Sequence, residues 1–84
     1  MITSLALMSI HKSPSIPLSE VCERYFSLSY EEALKKAARN ELPIPAFRLA
    51  SSRKAPMMVS AESLGDWIDK TEAEARRLWE KGQI

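Results

Sequence analysis

Six cations in the middle of the chain are the residues best suited to a chemical task, and that task is phosphate binding. The 84-residue chain has a formal net charge of +1, but residues 29–54 carry six cations against three acids, a net charge of +3. Residues 1–28 sum to zero and residues 55–84 to −2. Because each neutralised phosphate releases counterions, clustered cations predict a surface that faces a polyanion. The six cations are Lys35, Lys36, Arg39, Arg48, Arg53 and Lys54.

Residues suited to catalysis or metal binding are few. His11 is the sole histidine and Cys22 the sole cysteine, which excludes a histidine cluster and a cysteine-rich zinc site. Cys22 falls on the apolar face of a predicted helix, where a thiol packs as a small hydrophobic group. Gly65 and Gly82 are too few for a glycine-rich phosphate loop. We therefore expect no enzyme, no cofactor and no metal.

The composition predicts one globular domain over residues 1–84. Hydrophobic residues make up 45% and charged residues 27%, which is ordinary for such a domain. A single cysteine cannot form an internal disulfide. The apolar start, MITSLALMSI, has no basic region or cleavage site of a signal peptide and is too short to span a membrane. We expect a cytoplasmic protein with no membrane partner.

The first third of the chain predicts a strand, a turn and a helix. Residues 2–10 are apolar without helical punctuation, which predicts the strand, and SPSIP predicts the turn. PLSEVCERYF predicts the helix, with Pro17 at its start and Ser19 as its cap. Its apolar face holds Leu18, Val21, Cys22, Tyr25 and Phe26.

The next helix has the clearest beginning, because Ser29 and Glu32 have capping-box spacing. Asn40 and the prolines that follow it end the helix. Its predicted inward residues are Ala33, Leu34, Ala37 and Ala38, and its outward residues are Glu31, Lys35, Lys36 and Arg39. The outward charges also form i,i+4 pairs, so a plain solvated face is an alternative for this helix by itself.

Two apolar runs, AFRLA and MMVSA, flank SSRKAP and predict a hairpin with a tip of about six residues. Strand alternation places Phe47 and Leu49 on one side and Arg48 on the other. Ser60 then caps a long helix over about residues 61–82. Its apolar residues recur at intervals of three and four: Leu64, Trp67, Ile68, Ala75, Leu78 and Trp79.

The last three of these, Ala75, Leu78 and Trp79, lie beyond what a small domain can cover. An exposed apolar patch usually marks association, so we expect a homodimer contact there. Packing of Trp79 against the N-terminal strand is the alternative.

Two short helices, a tight turn and a basic hairpin make the layout of a winged helix-turn-helix. We expect an α+β fold with a two- or three-stranded antiparallel sheet and a long C-terminal helix. We expect the base edges to be contacted by Tyr30, Glu31 and Lys35 at the start of the second helix. Tyr30 fits a hydrophobic staple or a core position equally well. The full predicted set for double-stranded DNA is Ser29, Tyr30, Glu31, Lys35, Lys36, Arg39, Arg48, Ser51, Ser52, Arg53 and Lys54.

Three segments resemble the pyocin activator proteins, small bacterial and prophage transcription activators. IPLSEVCERYF is similar to the family's first helix at Ile16, Pro17, Leu18, Val21, Cys22, Tyr25 and Phe26. FRLASSRKA matches a second stretch at Arg48, Leu49, Ser52 and Lys54, with Arg53 where glutamine is usual. VSAESLGDWID approximates the closing helix at Val59, Leu64, Trp67, Ile68 and Asp69. Pro56 and Met57 replace the family's Lys-Gly, and Gly65 stands where an acid or leucine is usual.

The resemblance covers residues 1–77 and implies binding to promoter DNA of bacteriocin or phage-tail operons with activation of transcription. An activator of this kind also makes RNA polymerase a candidate partner. Excisionases share the layout, so repression and DNA bending are alternatives. A different class is a phage-encoded interaction module that inhibits a host protein with its basic face. A steep loss of duplex binding with salt favours the DNA-binding class.

Overall fold

The computed structural model describes residues 2–52 and 54–82 of the chain. Within these residues the helices and strands are α1 (Ile2–His11), β1 (Ser15–Pro17), α2 (Leu18–Tyr25), α3 (Tyr30–Ala38), β2 (Ala46–Arg48), β3 (Met57–Ser60) and α4 (Ala61–Gly82). The strands form an antiparallel sheet in the order β1-β3-β2. The predicted α+β class is confirmed, with three strands in the sheet and a long C-terminal helix.

The first element is a helix, so the strand predicted over residues 2–10 is wrong. The Thr3 hydroxyl donates a hydrogen bond to the Asp69 carboxylate of α4. The backbone of Ser4 lies so close to Gly65 that a Cβ there would come within 2.8 Å of the Ser4 nitrogen. A short apolar run fits a strand or a buried helix equally well. Contact with α4, which glycine permits, favours the helix.

β1 lies in the segment that was predicted only as a turn. Ile16 of β1 pairs with Val59 of β3, and both side chains are fully buried. β1 is an edge strand, so Pro17, which has no N–H to donate, is tolerated at its end. Three residues are too few to show strand alternation, and the sequence therefore did not predict this strand.

α2 confirms the predicted apolar face, because Leu18, Val21 and Cys22 are buried. The predicted cap is wrong. α2 begins at Leu18 with Pro17 at the N-cap, so Ser19 lies inside the helix, and no side chain caps the first turn. The Ser19 carbonyl instead accepts a weak hydrogen bond from the Cys22 thiol at 3.7 Å.

α3 ends where the sequence predicted, and Asn40 is the reason. Asn40 has a φ of 56°, a left-handed conformation that asparagine tolerates better than most residues. Its N–H donates to the Ala37 carbonyl, and the Glu41 N–H donates to the Lys36 carbonyl. These two bonds form a Schellman motif that satisfies the last carbonyls of the helix.

β2 and β3 form the predicted hairpin, with Phe47 opposite Met58. The paired strand ends at Arg48, so the tip comprises residues 49–56 and is longer than expected. Leu49 was predicted to share a side with Phe47, but it lies beyond the paired strand and is 75% exposed. Strand alternation holds only where the ladder continues.

α4 follows β3 directly and closes the core. The Ser60 hydroxyl accepts a hydrogen bond from the Ser63 N–H at 3.1 Å, which confirms the predicted cap. Leu64 is fully buried. The Trp67 ring meets the Phe26 ring edge-on at a centroid distance of 5.1 Å, and this contact joins α4 to the end of α2.

The core draws on every helix and on two of the strands. Its buried hydrophobic residues are Leu7, Ile16, Leu18, Val21, Cys22, Ala33, Ile44, Val59, Ala61 and Leu64. In the described part of the chain, none of the helices combines the length and the apolar character needed to cross a membrane.

Candidate nucleic-acid interface

Residues 26–29 connect α2 to α3 in the predicted short turn. The N–H groups of Phe26 and Leu28 both donate to the Cys22 carbonyl, at 3.2 and 2.9 Å. Ser27 lies between them with a φ of 56°. These bonds tie the turn to the last turn of α2, so α3 leaves in a direction that the buried α2 determines.

The start of α3 has the Ser29 part of the predicted capping box, whereas the Glu32 carboxylate accepts from the Ser29 hydroxyl instead of a backbone N–H. The Ser29 hydroxyl accepts a hydrogen bond from the Glu32 N–H at 3.2 Å and donates one to the Glu32 carboxylate at 3.2 Å. Tyr30 is the first helical residue and is 39% exposed, so the alternative that it is a core residue is wrong. Tyr30 and the exposed Glu31 therefore lie at the surface of the first turn.

The outward face of α3 brings three of the predicted residues together. Glu31, Lys35 and Arg39 follow one another at intervals of four and all are exposed. Lys36 is half-buried and lies at the edge of this face. Ala38 was predicted to point inward, but it is exposed because the last turn of α3 extends past the core.

Arg39 has an acidic neighbour. Its guanidinium lies 3.9 Å from the Glu41 carboxylate, and both side chains are well exposed. An ion pair in water contributes little, with measured values of roughly 0–1 kcal/mol. The Arg39 guanidinium can therefore leave Glu41 and bind a phosphate with little loss of free energy.

The hairpin tip is organised by two of the residues predicted to contact phosphate. The Arg48 Nε donates to the Ala55 carbonyl at 3.1 Å, which ties the two ends of the tip together. The Ser52 hydroxyl accepts from the Lys54 N–H at 3.1 Å. Arg48 and Ser52 thus shape the tip, a role that the sequence did not predict because it depends on the folded path of the loop.

Other predicted tip residues stay at the surface. Ser51 and Lys54 are both exposed. Arg53 lies outside the described residues. Among the described residues, the structure thus places one predicted lysine and both predicted serines, Ser51 and Ser52, at the exposed end of the hairpin.

The outer half of α4 is uncovered. All residues from 71 to 82 are exposed, with Leu78 at 56% and Trp79 at 62%. The alternative that Trp79 packs against the N-terminal segment is wrong, because that segment packs on the first half of α4 instead.

Two ion pairs follow the outer half of α4. Arg76 donates to the Glu72 carboxylate at 2.8 Å, four residues apart, and Arg77 donates to the Glu74 carboxylate. The Arg77 guanidinium lowers the pKa of the Glu74 carboxyl, and Glu74 raises the pKa of Arg77 in turn. These pairs are solvent-exposed and flank the apolar stripe of the helix.

The described residues hold no cluster of three or more His, Cys, Asp or Glu side chains that could bind a metal ion. The His11 ring lies with its Nδ1 3.3 Å from a Glu20 carboxylate oxygen. The sequence did not predict this contact between the end of α1 and α2.

Comparison with known proteins identifies a family. A search of curated proteins and a search of solved structures each found no match to the chain. The family model described as pyocin activator protein PrtN matches residues 3–75, and so covers all the elements from α1 to the middle of α4. That family consists of regulatory proteins rather than enzymes. The chain belongs to the pyocin activator protein family.

Proposed function

We propose that the protein is a winged helix-turn-helix regulator that binds double-stranded DNA and activates transcription of pyocin-like or phage-related genes. One observation carries this proposal. The capped helix α3, which presents Lys35 and Arg39, follows α2 through a four-residue turn and precedes a hairpin with Lys54 at its tip. Helix-turn-helix proteins place the second helix of such a pair in the major groove.

In this arrangement the first turns of α3 face the base edges. Tyr30, Glu31 and Lys35 are exposed there and can form hydrogen bonds in the major groove. Ser29, at the end of the turn, lies where the phosphate backbone passes the helix start. Lys36, at the edge of this face, and Arg39, at the C-terminal end of the helix, suit phosphate contacts.

The hairpin is the wing, and its tip contacts the phosphate backbone beside the groove. Ser51, Ser52, Arg53 and Lys54 supply hydroxyl and cationic donors, the types that commonly contact phosphate oxygens. Arg48 holds the base of the tip and adds a further positive charge. These contacts hold the protein in place on the DNA and do not distinguish one base sequence from another.

Activation of transcription follows from the family, whose members are described as activators. The DNA partner is then a promoter region of bacteriocin or phage-tail genes. RNA polymerase is the natural second partner, because an activator must change polymerase recruitment or opening at that promoter. A homodimer through Ala75, Leu78 and Trp79 would let two such units bind two half-sites.

A titration of duplex DNA at several salt concentrations tests this function. The full chain should bind the DNA upstream of its own gene more tightly than random duplex, with affinity that falls steeply as salt rises. Changing Arg53 and Lys54 together to Ala should lower the salt slope by about two, since two phosphate contacts are lost. Lys70→Ala, which removes an exposed cation of α4, is the control and should leave the slope unchanged.

Duplex binding that is absent at low salt would contradict the proposal and favour the protein-interaction class. A promoter fused to a reporter separates the remaining alternatives. Rising expression with the protein supports activation, whereas falling expression indicates a repressor. Binding that bends the DNA without changing expression indicates an excisionase-like protein.

A further inference from the structure

The outer half of α4 continues the apolar spacing of the buried half. In the buried half, Ala61 and Leu64 are fully buried and Ile68 is partly buried. The alternating steps of three and four continue through Thr71, Ala75, Leu78 and Gly82. This is the a/d spacing of helices that pair with one another. The whole continuation is exposed, so its own chain does not cover it.

We propose that two copies of the chain pair through this face with their α4 helices antiparallel, about a two-fold axis between Arg76 and Arg77. The proposal deepens the homodimer proposed above and rests on it. It commits to one occupant, a second copy of the same helix, and to one orientation. Side-chain size, charge and the position of α1 each support that choice.

Side-chain size favours the antiparallel orientation. With the axis at this point, Ala75 faces the partner's Leu78, and Thr71 faces the partner's Gly82. Each level of the interface then combines a larger side chain with a smaller one, as close packing requires. A parallel pair would set Leu78 against Leu78, which packs well, but it would also set Ala75 against Ala75, which leaves a gap at that level.

Charge supports the same orientation. Glu72 and Glu74 lie on one side of the axis, and Lys81, next to Glu80, lies on the other. An antiparallel partner sets its Lys81 level with Glu72 and two residues from Glu74, whereas Arg76 and Arg77 stay at the axis. The ion pairs within each helix are exposed, so sharing their charges with the partner costs little.

The exposed end of α1 lies at the edge of the same interface. α1 runs antiparallel to the first half of α4, and its Thr3–Asp69 hydrogen bond marks the point where α4 leaves the core. Ile2, next to Thr3, is 84% exposed. With the axis between Arg76 and Arg77, the partner's Trp79 is level with Glu74, about 7–8 Å along the helix axis from Asp69. The exposed Ile2 therefore lies at the edge of the paired segment, at the end that the partner's Trp79 approaches.

The antiparallel pair also separates the two domain cores by a distance close to the spacing of half-sites on DNA. At a rise of about 1.5 Å per residue, it separates the two copies of Leu64 by about 37 Å along the helix axis. Half-sites one turn of DNA apart are separated by about 34–36 Å. A parallel pair would hold the two cores side by side, with helix axes only about 8–10 Å apart.

Disulfide cross-linking of cysteine variants tests the orientation without DNA. Thr71→Cys and Gly82→Cys are made in separate full-length chains and oxidised alone and as an equal mixture. Both positions are exposed, and a Cβ at Gly82 meets nothing within 4 Å, so both chains should keep the helicity of the wild type. The wild-type chain is the control, because its Cys22 is buried.

A cross-linked dimer should form in the mixture and not in either variant alone. In the antiparallel pair the two copies of residue 71 are about 16 Å apart along the axis, and disulfides need Cα atoms within about 7 Å. Cross-linking of Thr71→Cys with itself would show a parallel pair and overturn the proposal. So would the absence of cross-links in every sample, or a wild-type chain that sediments as a monomer at tens of micromolar.

The outcome is independent of DNA binding. If the chain cross-links only in the mixture but binds no duplex, the antiparallel pair is supported and the proposed DNA-binding function is contradicted. If the chain binds duplex as a monomer, the DNA-binding function is supported and the antiparallel pair is contradicted.

Discussion

Ser29 and Asn40 determine where α3 begins and ends. Ser29 accepts the Glu32 N–H at one end, and Asn40 adopts the left-handed conformation that closes the other. α3 has nine residues, fewer than a helix needs to be stable alone in water. The caps and the packing of α3 therefore decide whether this segment is helical. Only in the helix do Lys35 and Arg39 lie on one face, as the proposed interface requires.

Replacing Asn40 tests the end of this helix. Asn40→Ala removes the short polar side chain that makes the left-handed conformation tolerable, and it should lower the free energy of unfolding by about 1–2 kcal/mol. Asn40→Gly is the matched control, because glycine adopts this conformation freely, and it should lose little or nothing. Urea unfolding measures both, and an equal loss in the two variants would contradict the conformational explanation.

Alanine variants of Lys35 and Arg39 should distinguish a contact to the bases from a contact to the phosphates. Lys35→Ala should narrow the difference in binding free energy between cognate and random DNA by about 1–3 kcal/mol, because Lys35 lies within the first two turns of α3, which face the bases, whereas Arg39 lies at the C-terminal end of the helix. Arg39→Ala should weaken both complexes equally, because a phosphate contact carries no sequence information. Competition titrations measure the difference. If Lys35→Ala weakens both complexes equally, Lys35 is a backbone contact and α3 lies differently in the groove.

At the scale of elements, the packing of α1 on α4 depends on the absence of a side chain at Gly65. The Ser4 backbone occupies the space that a Cβ would need. This approach places the Thr3 hydroxyl within reach of Asp69 and leaves Ile2 at the exposed end of α1. The close contact therefore explains both the helical state of the N-terminal segment and the place where α4 becomes uncovered.

Gly65→Ala should force α1 away from α4. Because the obstacle is backbone, we expect a loss of about 1–3 kcal/mol in the free energy of unfolding, the usual cost of overpacking. Gly82→Ala makes the same change on the same helix where a Cβ meets nothing in the single chain, and it should cause no loss when both variants are unfolded at a concentration too low for pairing through this face. Equal stability of the two variants in urea would show that α1 does not pack closely here.

At the scale of the whole molecule, the proposed dimer depends most on Trp79. Trp79→Ala removes a large apolar side chain that is 62% exposed in one chain, so the monomer should stay folded while the dimer is lost. Sedimentation should show monomers, and binding to paired half-sites should weaken. Ile10→Ala is the control, since Ile10 is similarly exposed on α1 but far from the proposed axis. A Trp79→Ala chain that still dimerises would contradict this interface.

Much of the candidate site and fold could be read from local sequence. The cap at Ser29, the stop at Asn40 and the cap at Ser60 depend on residues within a few positions of each other, and the structure confirms all three. The hairpin and α4 were predicted for the same reason, because their apolar spacing and punctuation are local. The clustering of cations in the middle third also needs no structure, since it is a property of composition.

Only the tertiary structure decided the features that depend on residues distant in the chain. Whether residues 2–10 form a strand or a helix depended on Thr3 and Ser4 meeting α4, with Thr3 and its partner Asp69 separated by 66 positions. The pairing of Ile16 with Val59 likewise turned part of a predicted turn into β1. Short apolar segments have nearly equal local preferences for helix and strand, so the small free-energy difference is supplied by the surface that each segment meets in the folded chain.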